Sequence, residues 1–273
     1  MPTELIDQWK NVDQAFSKQS IHFDEDDFSN AILQEWRKRI YKHVDQFIKP
    51  NSKILELNAG TGIDAIRFAR EGHSVHATDI SGGMIKKLKD KISIHSLTNT
   101  ISIQQISFEN IDNVEGKFDY VFSNFGGLNC IDDLKKVTRH LPKLLNEGGF
   151  ITWVIMPRVS PWEWTWAFKG KFKEAFRRFD RNGTSAHLEG ETFTTYYYSS
   201  DQIKDCFDSQ FQLLKTEGLG IFSPPPSAVN FAKRFRGISN FLNRIDRVAS
   251  KMYPFNRWGD HVIVTLEFYS KNY

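Results

Sequence analysis

Hydrophobic positions along the chain follow two alternating rhythms. Short apolar runs near residues 53–57, 74–79, 101–106, 118–123 and 150–156 read as buried strands, and helical spacing fills most of the gaps between them. The first run, Ile54-Leu55-Glu56-Leu57, passes through Asn58-Ala59-Gly60-Thr61-Gly62 into Ile63, Ile66, Phe68 and Ala69, whose spacing suits a helix face. Strand, tight glycine turn and helix therefore follow in order. Upstream, Ala31, Ile32, Trp36, Ile40, Val44 and Phe47 fall at helical spacing, and Pro50-Asn51-Ser52 ends that helix. Gly148-Gly149 is expected to close a helix ahead of the fifth strand. Alternating strands and helices predict an α/β fold with a doubly wound parallel sheet, ligands binding outside the carboxyl ends of its strands.

After the fifth strand the rhythm breaks twice. Residues 158–200 hold Pro161-Trp162-Glu163-Trp164-Thr165-Trp166, a basic stretch from Lys169 to Arg181, and Tyr196-Tyr197-Tyr198. Residues 222–258 open with a stiff Ser223-Pro224-Pro225-Pro226-Ser227 spacer and continue as a helix. Phe231, Phe235, Ile238, Leu242, Ile245, Ala249 and Met252 form its apolar stripe, expected to pack on the core with a solvated basic back. A second reading of that helix is a surface meeting lipid or another anionic partner. Between the insertions, 201–221 reads as a capped helix starting at Ser200 and a strand at 212–219, and 259–273 contains a closing strand at 261–268.

Composition narrows the classes. The 273 residues suit one large domain, 40% of them hydrophobic and 14% aromatic, with 23 Phe. A net charge of +3 is too small to argue for nucleic acid, and none is expected as a partner. Cys130 and Cys206 form no Cys-x-x-Cys pair, which predicts a reducing compartment and no structural metal. Met1-Pro2-Thr3-Glu4 lacks the basic and apolar regions of a signal peptide, and no run is apolar enough to span a bilayer. A cytoplasmic location is the expectation.

The candidate chemistry lies at the glycine turn. Glycine there tolerates positive φ and lets a ligand approach the backbone, beside unpaired N–H groups at a helix start. Gly60-Thr61-Gly62-Ile63-Asp64-Ala65 also fits the G-x-G-x-x-A pattern of dinucleotide-binding folds. Glu56 argues otherwise, since a carboxylate before the loop suits a cationic ligand group better than a pyrophosphate. The second strand ends in Asp79-Ile80-Ser81-Gly82-Gly83-Met84. Together, the Glu56-containing glycine motif and Asp79-hydrophobic-Ser-x-x-Met84 resemble the class I S-adenosylmethionine-dependent methyltransferases, in their small-molecule, quinone-biosynthesis-like branch. Asn58 departs from the family pattern, standing where a first glycine is usual; its short polar side chain tolerates left-handed backbone.

The resemblance implies a seven-stranded Rossmann-like sheet with its last strand antiparallel, and S-adenosyl-L-methionine as cofactor. Glu56 would hold the methionine amino group; Asn58, Ala59, Gly60 and Gly62 would run beside methionine and ribose; Asp79 would take both ribose hydroxyls. Ile80 and Met84 would pack on adenine, with Phe108 on its face. Ser107 stands where the family often has an acid for the adenine amino group, and Glu109 is an alternative. Asn124 and Phe125, at the end of the fourth strand, would face the methyl group. The Phe23-Asp24-Glu25-Asp26 stretch is similar to an aromatic-acidic segment that folds over the cofactor in many relatives; a solvated acidic loop is the other reading. His261, with Asp260 beside it at the start of the antiparallel strand, is the candidate catalytic base, Tyr197 and Glu163 being alternatives. Strand neighbours point to opposite faces, so pairing between Asp260 and His261 is not expected.

Residues 1–273 thus read as one methyltransferase domain. It comprises a helical cap (1–50), a cofactor core (51–157), lid insertions (158–200 and 222–258) and closing elements (201–221 and 259–273). The expected reaction is methyl transfer to a small, partly apolar or aromatic acceptor. An RNA or protein methyltransferase is less favoured, because Asn124-Phe125-Gly126-Gly127 lacks the Pro-Pro of nucleic-acid amino methyltransferases and Cys130 lacks the context of a cytosine-attacking thiol. A cofactor-binding protein without transfer activity and a nicotinamide-dependent oxidoreductase are further alternatives.

Overall fold

The computed structural model describes residues 3–269. Met1, Pro2 and 270–273, the outer ends of the expected cap and closing segment, lie outside them. Three helices lead, α1 (Thr3–Gln19), α2 (Phe23–Ser29) and α3 (Ala31–Val44). The core follows as β1 (Lys53–Leu57), α4 (Ile63–Arg70), β2 (Ser74–Asp79), α5 (Gly82–Ile94), β3 (Ile101–Gln105), β4 (Phe118–Ser123), two single turns α6 (Lys135–Thr138) and α7 (Leu141–Leu144), and β5 (Leu145–Ile155). The remainder is α8 (Pro161–Trp164), α9 (Phe172–Phe176), the hairpin β6 (Thr184–Leu188) and β7 (Glu191–Thr195), α10 (Ser200–Asp205), β8 (Phe211–Leu219), α11 (Val229–Arg234), α12 (Arg236–Ala249) and β9 (His261–Phe268).

Seven strands form one sheet in the order β3-β2-β1-β4-β5-β9-β8, parallel except for β9, which runs antiparallel to both neighbours. The order reverses between β1 and β4, where crevices open at the carboxyl ends of strands. Both faces are covered, which explains why the central strands read as continuous apolar runs. Leu55, Leu57, Val121, Ile151 and Trp153 pack into one core, and Ile54, Tyr120, Phe122 and Val154 join Phe68, Leu88 and Trp36 in the other.

Local signals explain most boundaries. Asn30 caps α3 by accepting from Ile32 N and Leu33 N, and Ser199 with Gln202 forms a capping box at α10. Gly62 has φ +81°, and a Cβ there would lie 2.1 Å from Leu88 Cδ1. It is the contact that lets α4 pack on α5. Gly148-Gly149 does not close a helix: α7 has already ended, and the pair lies inside β5, with Gly148 at φ +65° where the β4–β5 register shifts.

The second insertion departs further from expectation. Its helix breaks at Phe235 (φ −116°, ψ 53°), ahead of Gly237, and its apolar stripe is not packed on the core. Phe231, Phe235, Ile238, Ile245 and Met252 are exposed, whereas Ser239, Asp246 and Ala249 are buried. Asp246 supplies the reason. Its carboxylate accepts from Ile221 N, Phe222 N, Ser223 N and Ser223 Oγ, so a buried carboxylate stitches the helix to the end of β8 and turns the apolar stripe outward.

Candidate active site

A cavity of about 250 Å³ lies over the carboxyl ends of β1, β2 and β4. Among the residues singled out from sequence, Phe23, Asn58, Ala59, Gly60, Asp79, Ile80, Met84, Phe108, Asn124 and Phe125 line it. Glu56, Gly62, Ser107, Glu109 and His261 do not.

Asp79 anchors one end. Its Oδ2 accepts from Gly60 N at 2.8 Å and its Oδ1 from Ser81 N at 2.8 Å, so β2 and the glycine turn share one carboxylate. Burial pushes its pKa up to about 6, against the opposing pull of those two N–H groups. Gly60 is at φ +56°, and a Cβ there would meet nothing closer than Met84 Sδ at 4.0 Å, so the backbone is open to a ligand. Ile80, Met84, Ile106 and Phe108 add an apolar slot beside it.

Asn58 resolves the missing glycine. It adopts φ +46°, donates from Nδ2 to Asn124 O at 2.8 Å, and accepts at Oδ1 from Ser123 Oγ at 2.5 Å. The side chain fills the space that Gly127 leaves: a Cβ on Gly127 would come within 2.3 Å of Asn58 Cγ. A left-handed residue whose side chain crosslinks the ends of β1 and β4 thus stands at a position where the family usually has glycine.

Other expected residues sit elsewhere for definite reasons. Gly62 is consumed by the α4–α5 contact. Glu109 pairs with Lys136 on α6 at 3.0 Å, and Ser107 Oγ accepts from Asn110 Nδ2 at 3.3 Å. Glu56 is buried at the end of β1 beneath the loop, with Oε2 lacking a partner. Burial, then the nearby charge of Asp64, holds its pKa well above the usual carboxylate range, partly offset by Arg37. An orphaned acid there is poised to ionise when a cation arrives above it.

Several lining residues were missed from sequence. Arg37 of α3 forks onto Asp27 and reaches Asp64 Oδ1 at 2.7 Å, while Asn124 Nδ2 binds Asp64 Oδ2 at 2.9 Å and the Arg37 guanidinium stacks on Phe125. Asp24 accepts from Thr61 Oγ1 at 2.5 Å and pairs with Lys91, so the acidic segment is fastened onto the glycine turn. Helix α1 contributes Trp9, Val12 and Phe16, and β7 contributes Phe193 and Thr195. The signal for α1 was present, since Trp9, Val12 and Phe16 recur at i, i+3, i+7. Asp13 and Ser17 of α1 accept from Gly82 N and Gly83 N at 2.9 Å each, clamping it to the start of α5. The cover over the cavity is therefore α1 with the β6–β7 hairpin; no residue of 222–258 lines it.

The lining also includes Gly126, Gly127, Cys130 and Met156. Burial pushes the Cys130 thiol up to about 12, which leaves no thiolate for nucleophilic chemistry. His261 stands just behind this wall. A Cβ on Gly126 would lie 3.3 Å from His261 Nε2, and the ring packs edge-on to Phe125 and Trp36. Nε2 has no partner.

Contrary to expectation, Asp260 does pair with His261: Oδ2 lies 2.9 Å from Nδ1. Asp260 precedes β9, so strand alternation does not govern it. Its Oδ1 takes Arg178 Nη2 at 2.8 Å; though burial opposes ionisation, His261 and Arg178 keep this carboxyl below its usual range. Arg178 also binds Glu163 and lies over the Tyr197 ring, and Arg177 binds Glu163 as well. Glu163 is thereby committed to two guanidinium groups, which removes it as a base. Among the described residues no group of three or more His, Cys, Asp or Glu is arranged to hold a metal ion, and no helix is long and apolar enough to cross a membrane.

Comparison with known proteins agrees with this geometry. Residues 54–149 match a family described as methyltransferase domain. A malonyl-[acyl-carrier protein] O-methyltransferase of Ilyobacter polytropus is 26% identical over 98% of this chain and 92% of its own length. A ubiquinone/menaquinone biosynthesis C-methyltransferase of Geotalea daltonii is 30% identical over 50% of this chain; the chain spans 59% of that protein. Among solved structures, a putative S-adenosylmethionine-dependent methyltransferase from Listeria monocytogenes superposes with a TM-score of 0.56 at 15% identity, covering 84% of this chain and 96% of that one.

Proposed function

We propose that this chain, which belongs to the class I S-adenosylmethionine-dependent methyltransferases, methylates a small, largely apolar acceptor beside Phe125 and Gly126. The observation that carries the acceptor class is the lining of the cavity, which apart from Arg37, Asn58, Asp64, Asp79, Asn124 and Thr195 is apolar or backbone, and over which α1 and β7 lie.

The residues fit the cofactor. Asp79 has lone pairs left for ribose hydroxyls, Gly60 lets the ligand reach the backbone, Ile80, Met84 and Phe108 make a slot for a flat base, and the orphaned Glu56 oxygen waits beneath a cationic group. Bound S-adenosylmethionine supplies a methyl group already activated on a positively charged sulfur. What the chain must provide is alignment and exclusion of water, which the Trp9–Val12–Phe16 face of α1 supplies. At about 250 Å³ the cavity is smaller than the ~300–1,000 Å³ typical of ligand sites, so α1 or the hairpin must yield to admit both substrates.

Where the acceptor is a hydroxyl or another protonated nucleophile, His261 is placed to take its proton at Nε2 across the gap left by Gly126. The Asp260 carboxylate lies 2.9 Å from Nδ1, where it stabilises the charged ring once the proton is taken, and Arg178 orients Asp260. The relative named as a ubiquinone/menaquinone biosynthesis C-methyltransferase supports an acceptor with apolar character, and the one named as a malonyl-[acyl-carrier protein] O-methyltransferase supports a carboxylic acceptor. The test is a screen of apolar hydroxy, carboxylic and quinol compounds for methyl acceptance from labelled S-adenosylmethionine. With an acceptor found, His261→Asn should lower kcat by about 10²–10⁴-fold. An unchanged rate would remove His261 and leave alignment as the source of catalysis.

A further inference from the structure

Helix α12 is amphipathic in the wrong sense for a helix packed on a protein core. It buries Ser239, Asp246 and Ala249 and displays Ile238, Phe241, Ile245 and Val248, with Phe241 62% and Val248 68% exposed. Phe235 and Met252 extend the displayed stripe at either end. An apolar face this long stays in water only at a cost, and large contiguous patches of this kind mark interaction surfaces.

Its flank is uniformly basic. Residues 229–257 contain seven Lys and Arg and a single acid, Asp246, which is buried in the turn after β8. None of Lys233, Arg234, Arg236, Arg244, Arg247 and Lys251 forms an ion pair among the described residues. Arg39 of α3, itself bound to Glu217, and Glu35 line a groove of about 660 Å³ along the helix together with Arg236, Arg244 and Arg247, which outnumber the one acid there. The first insertion shows the same grammar. Phe168 is 93% exposed and Phe172 is exposed beside it, interleaved with Lys169, Lys171 and Lys173. The two insertions touch through the Trp162–Phe231 ring contact, 5.5 Å between centroids. Trp166, Lys169 and Lys171 also line a groove with Pro225 and Phe231, so the two aromatic and basic surfaces adjoin.

We propose that this face binds the surface of an anionic lipid bilayer, with α12 lying in the plane of the interface. The apolar stripe and Phe168 would enter the acyl boundary, and the basic flank and the Arg39 groove would meet headgroup phosphates, a division of labour that suits interfacial helices. Charge complementarity selects this occupant over a second copy of the chain. A two-fold pairing of stripes would bring unpaired cations of both copies together, whereas an anionic surface neutralises them.

Flotation of the full-length protein with phosphatidylcholine vesicles containing about 30% phosphatidylglycerol, at about 0.1 M salt, tests the proposal. The expected result is binding at least about tenfold stronger than to pure phosphatidylcholine, weakening as salt is raised. Phe241→Glu combined with Val248→Glu should lower partitioning by at least about tenfold, with thermal midpoint and S-adenosylmethionine affinity unchanged because both side chains are outside the cavity and the cores. Arg244→Gln with Arg247→Gln should remove most of the preference for anionic vesicles. Failure of the native protein to float with anionic vesicles, or flotation unaffected by the Phe241/Val248 variant, would overturn the proposal. So would a native dimer in light scattering that the same variant dissociates, with no vesicle binding, since the face would then be a protein interface.

Discussion

Replacing Asp79 by Asn separates the two tasks of that side chain. Burial raises its pKa from 3.8 to about 6 in the folded protein. A raised acid contributes stability that is fully present below its unfolded pKa and lost as pH rises through its folded value. The window is therefore roughly pH 4 to 6–7, and a shift of about two units corresponds to roughly 3 kcal/mol lost across it. Asn does not titrate, but its single acceptor oxygen serves only one of Gly60 N and Ser81 N, leaving the other unpaired at about 1–3 kcal/mol. Near pH 4 the native protein should thus be the more stable by about that amount. By pH 7 the difference should have moved about 3 kcal/mol in favour of Asp79→Asn, making it equal or superior. Cofactor affinity should move the other way, falling by about 1.5–3 kcal/mol at pH 7 through loss of charge-assisted hydrogen bonds to ribose. Urea unfolding of both proteins at unit steps from pH 4 to 8, with calorimetric titration of S-adenosylmethionine at pH 7, reads both quantities. Stability curves that stay parallel within about 0.5 kcal/mol would refute the burial argument. Unchanged affinity would refute the ribose assignment, and because the variant is expected to be no less stable at neutral pH, unfolding would not excuse either result.

Three further outcomes follow from contacts around the cavity. Gly127→Ala puts a methyl group 2.3 Å from Asn58 Cγ and should destabilise by about 1–3 kcal/mol; Asn58→Gly, which keeps the left-handed backbone, should recover at least about 1 kcal/mol of that in a double-mutant cycle read by chemical denaturation. Gly83→Ala drives a Cβ to 2.6 Å from Ser17 Cα and should push α1 off α5, seen as faster amide exchange across residues 8–19 and faster cofactor release in stopped flow. Asp260→Asn weakens the hold on His261 Nδ1 without touching the cavity, so with a protonated acceptor kcat should fall while S-adenosylmethionine affinity stays put.

The sheet was legible because its physics is local. A parallel strand buried on both faces is a short apolar run, and 53–57, 74–79 and 118–123 coincide with β1, β2 and β4. That Gly60 and Asp79 line the cavity was legible for the same reason: one lies in the turn after β1 and the other closes β2, where the fold dictates what they face. Side chains that reach a site from sequence-distant elements leave no such mark. Arg37 reads as one more charge beside Trp36 on a helix, and only the folded chain shows Asp27, Asp64 and Phe125 around it. Asp260 and His261 were judged as strand neighbours, a rule that lapses one residue before β9 begins. Glu109 looked available until Lys136, a whole strand later, was brought to it.

Helix α12 marks the limit of periodicity most sharply. A stripe of Phe, Ile and Met at alternating spacings of four and three defines a helix with an apolar face, and it defines nothing about what lies opposite that face. Burial is decided by what the rest of the chain offers. At the end of β8 it offers three backbone N–H groups and the Ser223 hydroxyl, all needing an acceptor, and Asp246 on the far side of the helix supplies it. Leaving those buried donors unmet would cost about 1–3 kcal/mol each, more together than exposing part of one apolar stripe. The polar anchor therefore sets the rotation of the helix. The stripe it turns outward is left to whatever apolar surface the protein meets, and the unpaired cations alongside restrict that surface to one of negative charge.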